Sequence, residues 1–537
     1  GSDHGCGMRL RSLRSLRARA RLLAAGAALG LPLAVAACSS STTVEDAGAS
    51  VTPEAAPPPP PAADASSAVD GAPPPGPDAS RDAGDAGDAG DAGDAGDAAA
   101  PDAPDAADAA PPAIVPLRPT TLLGGGRHAC ALRTGGKLVC WGSGSFGQLG
   151  QEEQQDRGDG PGEMGAALKE TRLGLGATAV SVATTFESTC ALLLDGRVKC
   201  FGRNGSGVLG NGDGLVASIG GTAGSMGDAL PALNLGINRV AVAIAGGESH
   251  MCAIFADGGT KCWGNNQYGQ LGLGDKTNRG DGAGQMGQAL PAVQLGAGRR
   301  AVQLSGGGFH TCAVLDDGSL KCWGRNHVGQ LGQETRADRG GAPGEMGDAL
   351  ATVKLGVGRT AVEVACGYTF TCARLDDGAV KCWGSNASGV LGQGSAAADI
   401  GANVNDLATL QPIALGAGRR AVQVVASELH ACARLDDGSV KCWGSNTNGR
   451  LGQGDTVARG ASAAQMGDAL LSIRLGSGRT ASLIAGTRSG FTCARLDNGD
   501  TKCWGSNTAG RLGQGDLAER GSAAAHMGDA LLPIALP

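Results

Sequence analysis

Fourteen of the seventeen cysteines fall into seven pairs with one ten-residue offset: Cys130 with Cys140, Cys190 with Cys200, Cys252 with Cys262, Cys312 with Cys322, Cys372 with Cys382, Cys432 with Cys442, and Cys493 with Cys503. Thiols at a fixed offset have two chemistries open to them, disulfide formation and ligation of a soft metal such as zinc. These pairs lack the short C-x-x-C knuckle of a zinc site. They flank turns such as Asp436-Asp437-Gly438, which return the chain on itself and set two strands side by side. The expectation is seven disulfides, each closed within one repeat, with no metal and no cofactor.

A second recurrence is histidine. His128, His250, His310 and His430 each stand two residues before the first cysteine of a pair, where other repeats carry Ser188, Phe370 and Phe491. Imidazoles in one register invite a metal, but side chains in separate repeats need not converge, so a structural role in the turn is expected. No G-x-S-x-G nucleophile motif occurs, and the acids recur in turns, as in Asp316-Asp317-Gly318. No catalytic residue is expected. The loop segments DKTNRG (275–280), DTVARG (455–460) and DLAERG (516–521) read as loops ordered by their own ion pairs.

The elements that position these residues follow from the period. The residue after each second cysteine is Trp141, Phe201, Trp263, Trp323, Trp383, Trp443 and Trp504, at steps of 60, 62, 60, 60, 60 and 61 residues. In the sixth repeat four strands are predicted, over 421–425 (AVQVV), 430–435, 439–443 and 471–475 (LSIRL). A three-residue turn with Gly438 left-handed places Cys432 directly opposite Cys442, close enough for a bond; a two-residue turn would oppose Cys432 to Trp443 instead. Four strands in each of seven units predict an all-β, seven-bladed propeller over 114–537. Aromatics are only 3% of the chain and glycines number 94, so no unit can bury enough apolar surface alone. Stability must come from neighbouring blades and from cross-links.

The segments CGYTFTCARLDDGAVKCWGSNASGVLGQG, SGGGFHTCAVLDDGSLKCWGRNHVGQLGQ and AGGESHMCAIFADGGTKCWGNNQYGQLGLG share a GxxHxCAxLxDGxVxCWGxNxxGQLG pattern. It resembles the repeat of the regulator of chromosome condensation family and spans all seven units. The resemblance implies a propeller acting through protein contacts; members include an exchange factor for the nuclear small GTPase and a secreted bacterial beta-lactamase inhibitor. Phe201 in place of Trp, and an unmatched Cys366 read as a buried small residue of a first strand, depart from the pattern.

Ahead of the repeats, 1–7 are set aside as upstream residues, and 8–37 read as a secretory signal with six Arg before an apolar run. Val35-Ala36-Ala37-Cys38 resembles a lipobox, which makes Cys38 a lipidated N-terminus. A plain secretory signal with Cys38 incidental is the alternative. Residues 39–113 carry fifteen acids and one Arg, with PPPPP and five consecutive Asp-Ala-Gly copies over 82–96, and read together with Cys38 as a disordered tether of roughly 50 Å as a coil. Removing these segments leaves a nearly neutral body, without the basic footprint of a nucleic-acid partner. The expected location is the cell envelope, at the outer membrane or surface. Whether 114–117 pairs with the last strand to close the ring or covers it stays open.

Function is expected to lie in binding one protein partner, identity unknown, by a monomer held to the membrane by its lipid. Inhibition of a secreted or envelope enzyme, a channel-sited enzyme and a passive surface structure are the alternatives. Strand alternation brings the turn between strands one and two and the long loop after strand three to the same rim. Phe186, Phe309, Tyr368, Phe370 and Phe491 in those turns, with Phe146 and Tyr268 in the loops, form a candidate binding patch flanked by Arg157, Arg279, Arg336 and Arg339. The competing assignment wedges the rings between blades as core or lines the channel with them.

Overall fold

The computed structural model describes residues 122–395 and 399–537. The signal segment, Cys38, the tether and 114–117 lie outside them. Seven antiparallel sheets follow one another in chain order. The sixth is typical, with strands Ala421–Ala426, His430–Leu435 and Val440–Gly444. Leu435 donates its N–H to Ser439 O at 2.8 Å and Gly438 donates to Leu435 O at 2.9 Å, leaving a three-residue turn with Gly438 at φ +79°. Cys432 therefore opposes Cys442 with Cα atoms 4.0 Å apart, and the two are bonded. The other six blades repeat this arrangement. Disulfides join Cys130 to Cys140, Cys190 to Cys200 and Cys252 to Cys262. They likewise join Cys312 to Cys322, Cys372 to Cys382 and Cys493 to Cys503. The expected pairing within each repeat is the observed one, and among the described residues no disulfide links two blades.

The fourth strand differs from expectation. Residues 471–475 bond to the third strand through Ile473 N–H and Val440 O, 2.8 Å apart, while further along the edge Arg459 bridges to Gly444. The blade is thus a three-stranded sheet with a pinned outer segment; among the described residues only blade two adds a short fourth strand, Ser218–Ile219. The third strand ends on Gly444 at φ +105°, which turns the chain off the ladder. A Cβ there would meet Leu429 O at 2.6 Å, so only glycine fits.

Each hydrophobic cluster combines residues of two consecutive blades, and there are seven such clusters. One joins blades seven and one, with Phe491 and Ile534 beside Leu122 and Trp141. The ring closes there, and its polar contacts repeat those elsewhere. Trp323 Nε1 donates to Gln270 O in the preceding blade at 3.0 Å, and Trp141 likewise to Arg511 O at 3.0 Å, from blade one back to blade seven. Blade two carries Phe201, which has no such donor, and there Thr189 Oγ1 serves Gln148 O at 2.9 Å. Each of these buried loop carbonyls thereby keeps a donor, as desolvation requires. Glutamine side chains also bracket neighbouring first strands: Gln423 accepts from Ile484 N–H at 2.9 Å and donates to its carbonyl at 2.7 Å. Among the described residues no helix is long and apolar enough to cross a membrane.

A candidate protein-binding rim

The turns between first and second strands crowd the central channel, and their backbones bond from blade to blade. Gly126 N–H donates to Phe186 O, Phe186 N–H to Glu248 O, and Glu248 N–H to Gly307 O, at 3.0 to 3.2 Å. A rim built this way is rigid, and it holds the side chains that project from it. Phe309 in the turn of blade four meets Tyr268 from the long loop of blade three, ring centroids 5.3 Å apart and edge to face. Tyr368 in blade five continues the row at 5.9 Å. Arg325 lies over Tyr268 at 4.6 Å and over Phe309 at 5.9 Å. All three rings are half-buried. A second group places Arg203 over Phe146 at 5.0 Å and Arg127 over Phe186 at 5.6 Å, beside a hollow of about 450 Å³. Such ring-and-guanidinium surfaces combine apolar area with donors, the composition of protein-binding anchors.

Two residues expected on this rim are elsewhere. Phe370 and Phe491 are fully buried in the clusters between blades. Each occupies the register that histidine holds in other blades, and that register points into the core. The flanking arginines are also largely engaged. Arg279 pairs with Asp275 through Nη2 at 2.5 Å, and Arg157 pairs with Glu153. Arg459 and Arg520 pair the same way with Asp455 and Asp516, so this arginine orders the loop, as the DxxxRG pattern suggests. Arg339 bridges to Gly324 and donates to Asp338 O. Arg336 remains half-exposed, 3.7 Å from Asp399. The guanidiniums that do flank the aromatics are Arg203, Arg325 and Arg127. Their signal in the sequence was position: Arg203 and Arg325 both follow the Cys-aromatic-Gly triplet.

The histidines are structural. His128, His250 and His310 are buried, and burial holds their pKa near 3; His430 lies well below its usual value for the same reason, with Arg450 adding to it. Each imidazole bonds through Nε2 to a threonine of the next blade. Cys366 is a buried free thiol in the strand Ala361–Cys366, and burial pushes its pKa to about 11. It approaches His310 and Cys312, but Cys312 is bonded to Cys322 and His310 to Thr371.

The channel walls are the first strands, enclosing about 250 Å³. Arg488 of blade seven lies across this space, its guanidinium on the carbonyls of Gly246 and Gly306 in blades three and four. Glu248 sits nearby; burial lifts its pKa to about 7, opposed by the charge of Arg488.

The repeat described as regulator of chromosome condensation (RCC1) matches residues 124–148, 179–208, 241–270, 301–330, 361–390 and 421–450, and a second description of it matches 257–314 and 317–374. The chain is an RCC1-repeat propeller. Prp20p from Saccharomyces cerevisiae shares its fold at a TM-score of 0.52 and 20% identity, covering 70% of this chain and 81% of that one. Human WBSCR16 does so at 0.56 and 19%, covering 74% and 94%. In sequence, the RCC1-repeat propeller is 28% identical to the ultraviolet-B receptor UVR8 of Arabidopsis thaliana over 62% of this chain and 79% of the receptor. It is 28% identical to the human E3 ubiquitin-protein ligase HERC2 over 64% of this chain but 6% of the ligase, so it spans a small part of that protein.

Proposed function

We propose that this RCC1-repeat propeller is a non-enzymatic platform that binds a partner protein through the rim carrying Tyr268, Phe309 and Tyr368, outside the cytoplasm and tethered by a lipid on Cys38. The observation that carries the reading is the edge-to-face row of these rings under Arg325. Support comes from similar proteins whose descriptions record protein partners, Prp20p with Gsp1p, histones and Kap60. The Arg488 side chain crossing the channel disfavours a channel-sited enzyme. The export signal, the lipobox and the cysteine pairs together support an oxidising, extracytoplasmic location.

The test is affinity capture from envelope and secreted fractions with the tether-free propeller, compared with Tyr268→Ala plus Phe309→Ala. A specific partner lost in the folded double variant supports the rim. Capture unchanged by the substitution refutes it. For the anchor, incorporation of a palmitate analogue that disappears in Cys38→Ala is expected; label retained in that variant refutes lipidation at Cys38.

A further inference from the structure

The outer edge of most blades is closed by a glutamine. Gln151 Nε2 donates to Cys140 O at 2.9 Å and Lys169 O at 3.3 Å. Gln333 donates to Cys322 O at 3.2 Å and Ala351 O at 3.1 Å. Gln393, Gln453 and Gln514 reach the second of these carbonyls, on Gln411, Leu471 and Leu532, at 3.2, 2.9 and 3.1 Å. The first acceptor belongs to the second cysteine of each pair. Because the cysteines form a non-hydrogen-bonded pair, that carbonyl faces outward, away from the hairpin. The second acceptor lies on the outer segment, so the amide ties the two together.

Blade two breaks the pattern. Its residue at this position is Asn211, one methylene shorter, whose Oδ1 accepts from Asn204 Nδ2 at 3.1 Å within the same loop. In blade three the position is Leu273, which packs into the core clusters. Blade two has neither plug. Between its outer edge and blade three lies a cavity of about 410 Å³, lined by Cys200, Asn211, Ile219, Pro231, Leu233 and Met286 among others. Cys200 and Pro231 are the counterparts of Cys322 and Ala351, and no side chain among the described residues donates to either carbonyl.

We infer that this cavity binds the glutamine side chain of a partner polypeptide, its primary amide donating to the Cys200 and Pro231 carbonyls and its two methylenes lying against Ile219, Leu233 and Met286. Five other blades supply such an amide to one or both of the equivalent acceptors from within, which defines the chemistry the groove accepts. The cavity opens at the blade's outer edge and shares no residue with the aromatic row, so it stands apart from the rim proposal.

The test uses the full chain with labelled methyl groups, titrated with N-acetylglutamine N-methylamide, its glutamate counterpart and butyramide. Saturable shifts at Ile219, Leu233 and Met286 with the glutamine probe are expected, at least tenfold weaker with glutamate, which has an acceptor where the amide has a donor. Asn211→Gln should fill the groove itself, abolishing these shifts and raising the melting temperature, whereas Asn211→Ala should keep them. Equal shifts with glutamate, shifts unchanged in Asn211→Gln, a lowered melting temperature in that variant, or no saturable shift with the glutamine probe would each overturn the inference. Butyramide binding more tightly than the glutamine probe would assign the cavity to free amides and overturn the polypeptide source.

Discussion

His310 donates from Nε2 to Thr371 Oγ1 across the interface of blades four and five, at 2.9 Å. The threonine hydroxyl has one proton, and it goes to Gln330 O at 2.8 Å, which also accepts from Trp383 Nε1. The imidazole must therefore be the donor, neutral, with its proton on Nε2. The same pairing joins His128 to Thr189, His250 to Thr311 and His430 to Thr492. Where the first partner is Phe370 or Phe491, the second is Ala431 or Ala129, packed in the same cluster. The ring register and the position before the next blade's cysteine thus change together around the propeller.

Acid should loosen these interfaces. The folded histidines have pKa values far below the unfolded value of about 6.5, so the unfolded chain binds more protons between those limits. Stability is full above about pH 6.5 and falls as pH drops toward 3. At pH 5 each buried histidine is expected to cost about 2 kcal/mol relative to pH 7.5. Urea unfolding at the two pH values checks the slope, and His310→Phe plus Thr371→Ala, which copies the pairing of Phe370 with Ala431, should make it shallower.

That transplant also has a coupling to measure. Thr371→Ala alone leaves the His310 N–H buried without an acceptor, and should cost about 1 to 3 kcal/mol. His310→Phe alone crowds the threonine. The double variant is expected to be more stable than the sum of the singles by on the order of 1 kcal/mol. Strict additivity in a double-mutant cycle would show that the two positions do not act as a pair.

Arg511 holds the ring shut. Its guanidinium donates to Gly126 O at 2.7 Å, from blade seven to blade one, and within blade seven to Ser506 O at 2.9 Å; it also lies over Phe491 at 5.3 Å. Arg511→Ala is expected to destabilise by on the order of 3 kcal/mol, since buried bonds to a charged group are lost and their carbonyls stranded. Hydrogen exchange should quicken first at blades one and seven, with blades three to five last to respond.

Aromatics on the rim and in the core should separate cleanly on substitution. Phe146→Ala plus Tyr268→Ala is expected to weaken partner binding by more than about 2 kcal/mol with little change in melting temperature. Phe370→Ala removes a fully buried ring and should cost about 3 to 5 kcal/mol of stability. Calorimetric melting beside binding measurements reads both outcomes. A binding loss that tracks melting temperature across the variants would place the rim rings in the core.

The sequence alone determined what is local and periodic. A ten-residue offset around Asp-Asp-Gly sets the hairpin register within a dozen residues, so the Cys432–Cys442 bond was legible, as were the seven blades and the loop pairing of Asp275 with Arg279. The fate of Phe370 against Phe309 was not. Phe309 ends the turn and Phe370 opens the second strand of its blade, one residue apart in register, and successive positions point to opposite sides, so only the packing of the next blade decides which ring is covered. The pairing of His310 with Thr371, 61 residues away, and of Trp141 with Arg511, 370 away, likewise exist only once the ring closes. The outer strand failed for a related reason: LSIRL has strand propensity, but only Ile473 N–H bonds the third strand, at Val440 O, while the Gln453 amide takes Leu471 O and Arg459 takes the edge at Gly444. Propensity and spacing choose each hairpin, while contacts between blades choose which side chains remain for a partner.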